Sequence, residues 1–193
     1  MRDKVSRLLA VLCLSLLAAG CATPKGVTVQ DRRSYVLKMK DETLARLHKE
    51  KPETRDMVKR ASGYAVFSNI GTHLFLLASG NGYGVVIDNA TGRKVFMKMR
   101  SVGFGLGMGV KDFRAVFIFK SKSVVKDFIE KGWAFGGQAD AAAKSGEKGG
   151  AAGGEAYVED DIEIYQLTES GLALQATVAG TKYWPDKSLN AGP

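Results

Sequence analysis

One stretch of the chain, residues 101–120, constrains its fold more than any other. The sequence there is SVGFGLGMGVKDFRAVFIFK, in which every second residue from 103 to 109 is glycine. Side chains on a strand alternate between its two faces, so a strand here has one bare face and one apolar face. The run Val116–Phe119 is apolar on both faces, which predicts a central, buried strand. We expect this pair of strands at the centre of one curved antiparallel sheet.

The bare face of the glycine strand has two interpretations. Glycines within strands commonly permit tight packing or bending, and the residue pattern favours this reading. Alternatively, the face left bare by Gly103, Gly105 and Gly107 is a slot for a lipid or another ligand. These three glycines are therefore candidate lipid-binding positions.

The first 20 residues have the pattern of an export signal. Residues 1–7 are basic, residues 8–17 are apolar, and small residues precede Cys21. The apolar run is too short to span a bilayer as a mature helix. The segment Leu17–Cys21, LAAGC, resembles a bacterial lipobox, which implies cleavage before Cys21 and acylation of that cysteine. The alternative is an ordinary cleaved signal beside an incidental cysteine.

The remaining cysteine and the residue after Cys21 extend this prediction. Cys13 leaves with the signal and Cys21 is capped by lipid, so the domain has no thiol for a disulfide or a metal. Ala22 follows the cysteine, which by resemblance to enterobacterial sorting rules favours the outer membrane, with the domain facing the periplasm. We expect a signal peptide at 1–20, a lipidated tether at 21–30 and a single domain at 31–190.

The charge of the chain favours anionic partners. The formal net charge is +8, and residues 1–20 contribute three positive charges and one negative, so the rest carries +6. Such an excess suits phospholipid headgroups, other phosphates or nucleic acid. The sequence has no zinc-ligand spacing, RNP-like aromatic strand or basic recognition helix, so we expect no nucleic-acid binding.

Residues 31–60 are predicted to form two helices. Asp31 is the predicted N-cap of the first, which runs to about Glu50, and Pro52 opens a second that ends at Arg60. Residues at helical spacing give the first helix an apolar face: Tyr35, Val36, Met39, Thr43, Leu44 and Leu47. Such faces usually pack on a core, and we favour that outcome here.

The same segment is also basic, with ten Lys and Arg residues against six Asp and Glu. A basic amphipathic helix beside a lipid anchor is able to lie on an anionic membrane. This alternative makes Arg32, Arg33, Lys38 and Lys40 candidate ligands of anionic phospholipid.

The rest of the chain is predicted to be rich in strands. Apolar and alternating segments predict strands at 64–67, 73–78, 85–87, 94–100, 113–119, 155–165 and 171–179. A turn is predicted at 68–72, a helix at 121–131 and a mobile loop at 144–154. Helices at the start and once internally, with consecutive strands between, predict an α+β fold. We expect its antiparallel sheet to be curved, either open or rolled into a barrel.

These segments together resemble the SYLF family, also called the Ysc84 type. The resemblance rests on AVFSNIG at 65–71, GYGVV at 82–86, SVGFGLG at 101–107, VFIF at 116–119 and GWAFG at 132–136. It implies phospholipid binding, which in eukaryotic members includes binding to phosphoinositides; some of those members also bind actin. Bacterial members are often exported lipoproteins. We do not carry actin binding over to an exported bacterial protein.

Patterns for catalysis or metal binding are weak. His48 and His73 have no partner at catalytic or metal-ligand spacing, and Ser123 and Lys126 fit S-x-x-K without its partner motifs. The acidic residues at 155–163 lack EF-hand spacing. We expect no enzyme, cofactor or metal. Two hypotheses remain: an anchored protein that binds phospholipid, and a structural or protein-interaction module that the anchor only localises.

Overall fold

The computed structural model describes residues 23–74, 77–104, 113–135, 157–159, 161–168, 171–173 and 181–192. Cys21, Gly105, Gly107 and the loop at 144–154 lie outside these residues, so the predictions about them stay predictions. The described helices are α1 (Val29–Glu50), α2 (Thr54–Arg60), α3 (Lys122–Lys131) and α4 (Lys187–Asn190). The described strands are β1 (Gly63–Leu74), β2 (Leu77–Asp88), β3 (Lys94–Phe104), β4 (Phe113–Phe119), β5 (Trp133–Phe135), β6 (Tyr157–Glu159), β7 (Ile162–Thr168), β8 (Gly171–Ala173) and β9 (Thr181–Pro185).

The strands form one antiparallel sheet in the order β5-β9-β3-β2-β1-β4-β7-β6, with β8 also paired to β7. The predicted α+β class is confirmed. β4 lies inside the sheet between β1 and β7, and all five residues from Ala115 to Phe119 are buried. The central position predicted for Val116–Phe119 is therefore confirmed as well.

The sheet is strongly curved. β9 and β4 are four strand spacings apart, which is about 19 Å in a flat sheet. Yet the ring centroids of Tyr183 on β9 and Phe117 on β4 are 5.4 Å apart. The sheet therefore curls until its inner face, which bears Phe117, meets itself. Among the described strands the two ends of the order, β5 and β6, do not pair, so the sheet is open rather than a closed barrel.

Glycines on β2 make room for this curled interior. A Cβ on Gly84 would lie 2.3 Å from the Cδ1 atom of Phe67, and one on Gly82 would lie 2.6 Å from the Cγ atom of Met99. Both distances are too short for a real contact, so these positions admit only glycine while the neighbours keep their places. These β2 glycines serve packing, whereas the slot predicted at Gly103 and beyond is untested.

Each face of the sheet carries its own apolar core. On the inner face, Phe67, Phe117 and Tyr183 surround Phe128 of α3. The outer face, which bears Val66 and Val116, packs against α1, α2 and α4. Residues from each of those helices are buried in this outer core: Val36, Met39, Leu47, Val58 and Leu189. The prediction that the apolar face of the first helix packs on the sheet is thus confirmed.

The N-terminus of α1 differs from the prediction. Thr28, not Asp31, is the N-cap: its hydroxyl accepts a hydrogen bond from the Asp31 amide, and the Asp31 carboxylate accepts one from the Thr28 amide, both at 3.0 Å. This reciprocal pair is a capping box, in which Asp31 takes the place more often held by glutamate. The second helix begins at Thr54, two residues after Pro52.

The turn predicted at residues 68–72 is wrong. Ser68, Asn69 and Gly71 are typical turn residues, yet β1 continues through them to Leu74, paired residue for residue with β2. The strand predicted at 94–100 joins the start of the predicted glycine strand, because β3 runs from Lys94 to Phe104. At residues 68–72, pairing with a long neighbouring strand overrides the local preference of the residues.

Candidate functional site

The four cations predicted to bind lipid lie on the first three turns of α1, but they have different surroundings. The Arg33 side chain contacts the C-terminal helix region and β3. Its Nε donates to the carbonyl oxygen of Leu189 at 2.8 Å, and its Nη2 donates to that of Ala191 at 2.6 Å. Its guanidinium carbon lies 5.9 Å from the ring centroid of Phe96. Arg33 therefore fastens α1 to α4 and β3.

We expect Arg33→Ala to lower the free energy of unfolding by about 1.5–3 kcal/mol, the range for hydrogen bonds of a charged group. Arg32→Ala is the matched control. Among the described residues, the Arg32 side chain makes one weak hydrogen bond, to the Thr28 carbonyl oxygen at 3.4 Å, so its loss should change stability by less than about 0.5 kcal/mol. Urea unfolding followed by circular dichroism measures both. Equal losses in the two variants would contradict this assignment.

The other two predicted cations also differ from each other. Lys40 forms an ion pair with Asp41 at 2.6 Å, and its side chain is 15% exposed. Lys38 is exposed and has no ion pair with any residue that the structure describes. The four residues therefore have different surroundings: Arg33 and Lys40 are engaged with other groups of the fold, whereas Lys38 is exposed and Arg32 is partly exposed.

A groove lies where α1, β3 and α4 meet, close to the end of α1 that continues into the predicted tether. Its volume is about 350 Å³. It is lined by both apolar and polar side chains: Gln30, Arg33, Leu37, Lys94, Phe96, Leu189 and Asn190. Arg33 is held by backbone carbonyls, whereas Lys94 is exposed and has no ion pair with a described residue, so Lys94 is the lining cation available to a ligand.

A second groove, of about 360 Å³, separates α3 from the turn between β2 and β3. Its charges are mixed, because Arg93, Lys122 and Lys126 face Asp88 and Glu130. Although burial opposes it, hydrogen bonds from the Thr91 and Ala90 amides hold the pKa of Asp88 below its usual value. Because an ionised carboxylate lies among the cations, this groove is poorly suited to bind an anion.

The S-x-x-K residues lie at the rim of that groove. Ser123 is exposed in the first turn of α3, and its hydroxyl oxygen is 3.0 Å from the hydroxyl oxygen of Ser121. Ser121 is the N-cap of the helix and accepts from the Val124 amide. The contacts of Ser123 are thus those of a helix terminus.

The pKa values of Tyr83, Tyr165 and His48 are shifted by the residues around them. Burial, with a hydrogen bond and charge from Tyr35, raises the pKa of Tyr83 to about 12. Burial and the carboxylate of Glu163 raise the pKa of Tyr165 to about 12. Burial first, then Arg55 and Lys59, lower the pKa of His48, whose Nδ1 is 2.9 Å from the Thr54 hydroxyl. These groups are therefore neutral near pH 7.

Acidic side chains do not gather into a metal site in the part of the chain that the structure describes. Glu163 forms an ion pair with Lys120 at 3.0 Å and accepts from the Tyr165 hydroxyl at 3.3 Å. The side chains of Glu155, Glu159 and Asp160 lie outside the part of the chain that is described. None of the described helices combines the length and the hydrophobicity needed to cross a bilayer.

Sequence reasoning missed one pair of cations. Arg100 on β3 and Lys182 on β9 are direct neighbours in the register of the sheet, and both are exposed. Apolar residues at 95, 97 and 99 alternate with Lys94, Lys98 and Arg100, and this alternation predicts that Arg100 faces outward on a half-exposed strand. Its partner lies 82 positions later in the chain, so the pair follows from the place of β9 beside β3 and has no local sequence signal.

Comparison with known proteins supports the family resemblance. The chain is 34% identical over 164 residues to the Beta cell expansion factor A of Aeromonas veronii. The alignment covers 84% of this chain, and the chain spans about 60% of the length of that relative. Residues 100–192 match the Ysc84 family, described as Las17-binding protein actin regulator. This match to the Ysc84, or SYLF, family covers just under half of the chain.

Proposed function

We propose that the protein is a non-enzymatic lipoprotein of the cell envelope whose Ysc84-type domain binds anionic phospholipid. The anchor is acylated Cys21, and the location is the outer membrane, facing the periplasm. The observation that carries the proposal is the surplus of exposed cations. Ion pairs occupy Lys40, Arg46, Lys98, Arg114, Lys120 and Lys131. Further exposed cations have no carboxylate partner within the described ranges: Lys25, Lys38, Lys49, Arg93, Lys94, Arg100, Lys182 and Lys187.

The end of the domain next to the tether adds support. Val27 is 95% exposed and Val29 is 38% exposed, and they lie between Lys25 and Arg32. Apolar residues interspersed with cations are typical of segments at a membrane surface. A domain held there by acyl chains needs only weak additional contacts to stay on the bilayer, because the anchor keeps its local concentration high.

The second candidate function is a protein-interaction module that the anchor only delivers to the membrane. The description of the matched family as an actin regulator favours protein binding by family members. An apolar protein interface and an electrostatic lipid contact respond differently to salt. Screening weakens the lipid contact strongly and the apolar interface little.

We expect the domain to bind vesicles that contain phosphatidylglycerol and to release them as salt rises. The protein from Thr23 onward contains every described helix and strand, so it suits this experiment. Co-sedimentation should fall steeply between about 0.1 M and about 1 M salt, as the screening length falls from about 10 Å to about 3 Å. Vesicles of phosphatidylcholine alone are the control. Absence of binding to anionic vesicles at low salt would remove the proposal.

A further inference from the structure

Four residues form a row across β1, β2, β3 and β9 on the outer face of the sheet. Ile70 is paired with Asn81, Asn81 with Arg100, and Arg100 with Lys182. Directly opposed residues of an antiparallel sheet lie side by side on one face. We call this row the outer strip.

The outer strip lies where the helical layer ends. In the neighbouring row, Tyr83 is 5% exposed, and its ring centroid is 5.8 Å from that of Tyr35 on α1. Two residues further along β1 and β3, Ile70 is 45% exposed and Arg100 is exposed. The strip is therefore an open part of a face that is covered elsewhere.

The charges of the strip are unbalanced. Like charges that face each other across paired strands repel and destabilise the pair. Neither Arg100 nor Lys182 has an ion pair with a residue in the described ranges. Asp186, which follows β9, is already bound to Lys98 in the neighbouring row at 3.5 Å and to the Ser188 amide at 2.9 Å. An anionic group from outside the chain would relieve the repulsion.

The apolar neighbours indicate what kind of anion fits. Ile70 stands at the end of the strip, and the half-buried Trp184 is paired with Lys98 one row away. Tryptophan and aliphatic side chains beside Arg and Lys suit the boundary between headgroups and acyl chains. A soluble acidic protein would satisfy the cations but would leave Ile70 without a matched surface.

We propose that the outer strip is the surface through which the domain docks on an anionic phospholipid bilayer. Arg100 and Lys182 contact headgroup phosphates, while Ile70 and Trp184 enter the interfacial region. The inference rests on the proposed function and names its site. It places the contact on the sheet rather than on the apolar face of α1, because that face is buried against β1, β2 and β4.

The experiment compares two double variants in the protein from Thr23 onward. Arg100→Gln with Lys182→Gln neutralises the strip, and Lys49→Gln with Lys59→Gln removes the same charge near the ends of α1 and α2. One cation near an anionic surface contributes roughly a fivefold factor in partitioning. We expect the strip variant to bind phosphatidylglycerol-containing vesicles about 25-fold more weakly, and the control variant to lose less than about fivefold.

Two further measurements check that the strip variant is folded and that Trp184 enters the bilayer. Urea unfolding should show the strip variant to be at least as stable as the parent, because the substitutions remove a like-charge pair. In a Trp133→Phe background, the emission of Trp184 should shift to the blue on vesicle binding and be quenched by brominated acyl chains. A strip variant that binds soluble polyglutamate more weakly, but vesicles normally, would show a protein-directed surface and overturn the inference.

The outcomes separate the two proposals. If the parent does not bind anionic vesicles at low salt, the proposed function fails and the strip has no role in it. If the parent binds but both double variants weaken equally, only the docking surface is overturned. If the parent binds and Trp184 is not quenched, the orientation is wrong while phospholipid binding stands.

Discussion

Replacing Phe67 by alanine is expected to lower the free energy of unfolding by about 3–5 kcal/mol. Phe67 is fully buried on the inner face, and its ring centroid lies 4.6 Å from that of Tyr183 and 5.6 Å from that of Phe117. It also fills the space that Gly84 leaves on β2. The substitution removes a ring that packs against both β9 and β4 across the curled interior, and the cavity that remains cannot close around a rigid cluster of rings.

Urea unfolding with far-ultraviolet circular dichroism measures this loss. Val27→Ala is the control: Val27 is 95% exposed, so its change should stay within about 0.5 kcal/mol. A loss below about 1 kcal/mol for Phe67→Ala, with an unchanged slope against urea, would show that the rings do not meet as described. The curvature of the sheet would then need another explanation.

The second large effect is expected from Cys21→Ser. If Cys21 is the acylated residue, its substitution should move the protein from the membrane fraction to the soluble fraction, because several acyl chains give stable anchoring. The described fold begins at residue 23, so the far-ultraviolet spectrum should not change. Fractionation in sodium carbonate, which removes loosely bound proteins, separates anchored from adsorbed molecules.

The control for that experiment is Arg100→Gln with Lys182→Gln in the full chain. It removes the proposed surface contact but keeps the anchor, so it should stay in the membrane fraction. If Cys21→Ser stays there as well in carbonate, the anchor does not depend on this cysteine. The protein would then reach the membrane by another route.

The central elements of the fold were open to prediction because each has a local signature. The apolar run Val116–Phe119 identified a buried strand, and the spacing of Val36, Met39 and Leu47 identified the buried face of α1. These patterns depend only on the period of the element and the side that faces a core. Single-residue boundaries were less accessible, as at Thr28, where the capping box is completed by aspartate.

Features that depend on distant pairing were not open to prediction. Ser68–Thr72 has turn-forming residues, and pairing with β2, together with pairing of Ser68 and Asn69 with β4, keeps this segment in a strand. The curvature depends on Tyr183 reaching Phe117 across the interior, which no local pattern encodes. Both features arise from contacts whose partners are far apart in sequence.

The candidate site likewise combines features that a local sequence pattern predicts with features that depend on distant contacts. Charge and helical period placed Arg33 among surface cations, whereas the structure gives it two backbone carbonyl acceptors near the end of the chain. Arg100 was correctly assigned to an outward face, but its neighbour Lys182 became visible only in the register of β3 and β9. A list of cations is therefore available from sequence, and which of them share a surface is not.

The mass of the N-terminal peptide of the protein purified from membranes tests the proposed lipid anchor most directly. We expect a peptide that begins at Cys21 and carries a diacylglycerol group on the sulfur atom and a further acyl chain on the amino terminus. A mature protein that begins elsewhere, or that retains an unmodified Cys21, would contradict it.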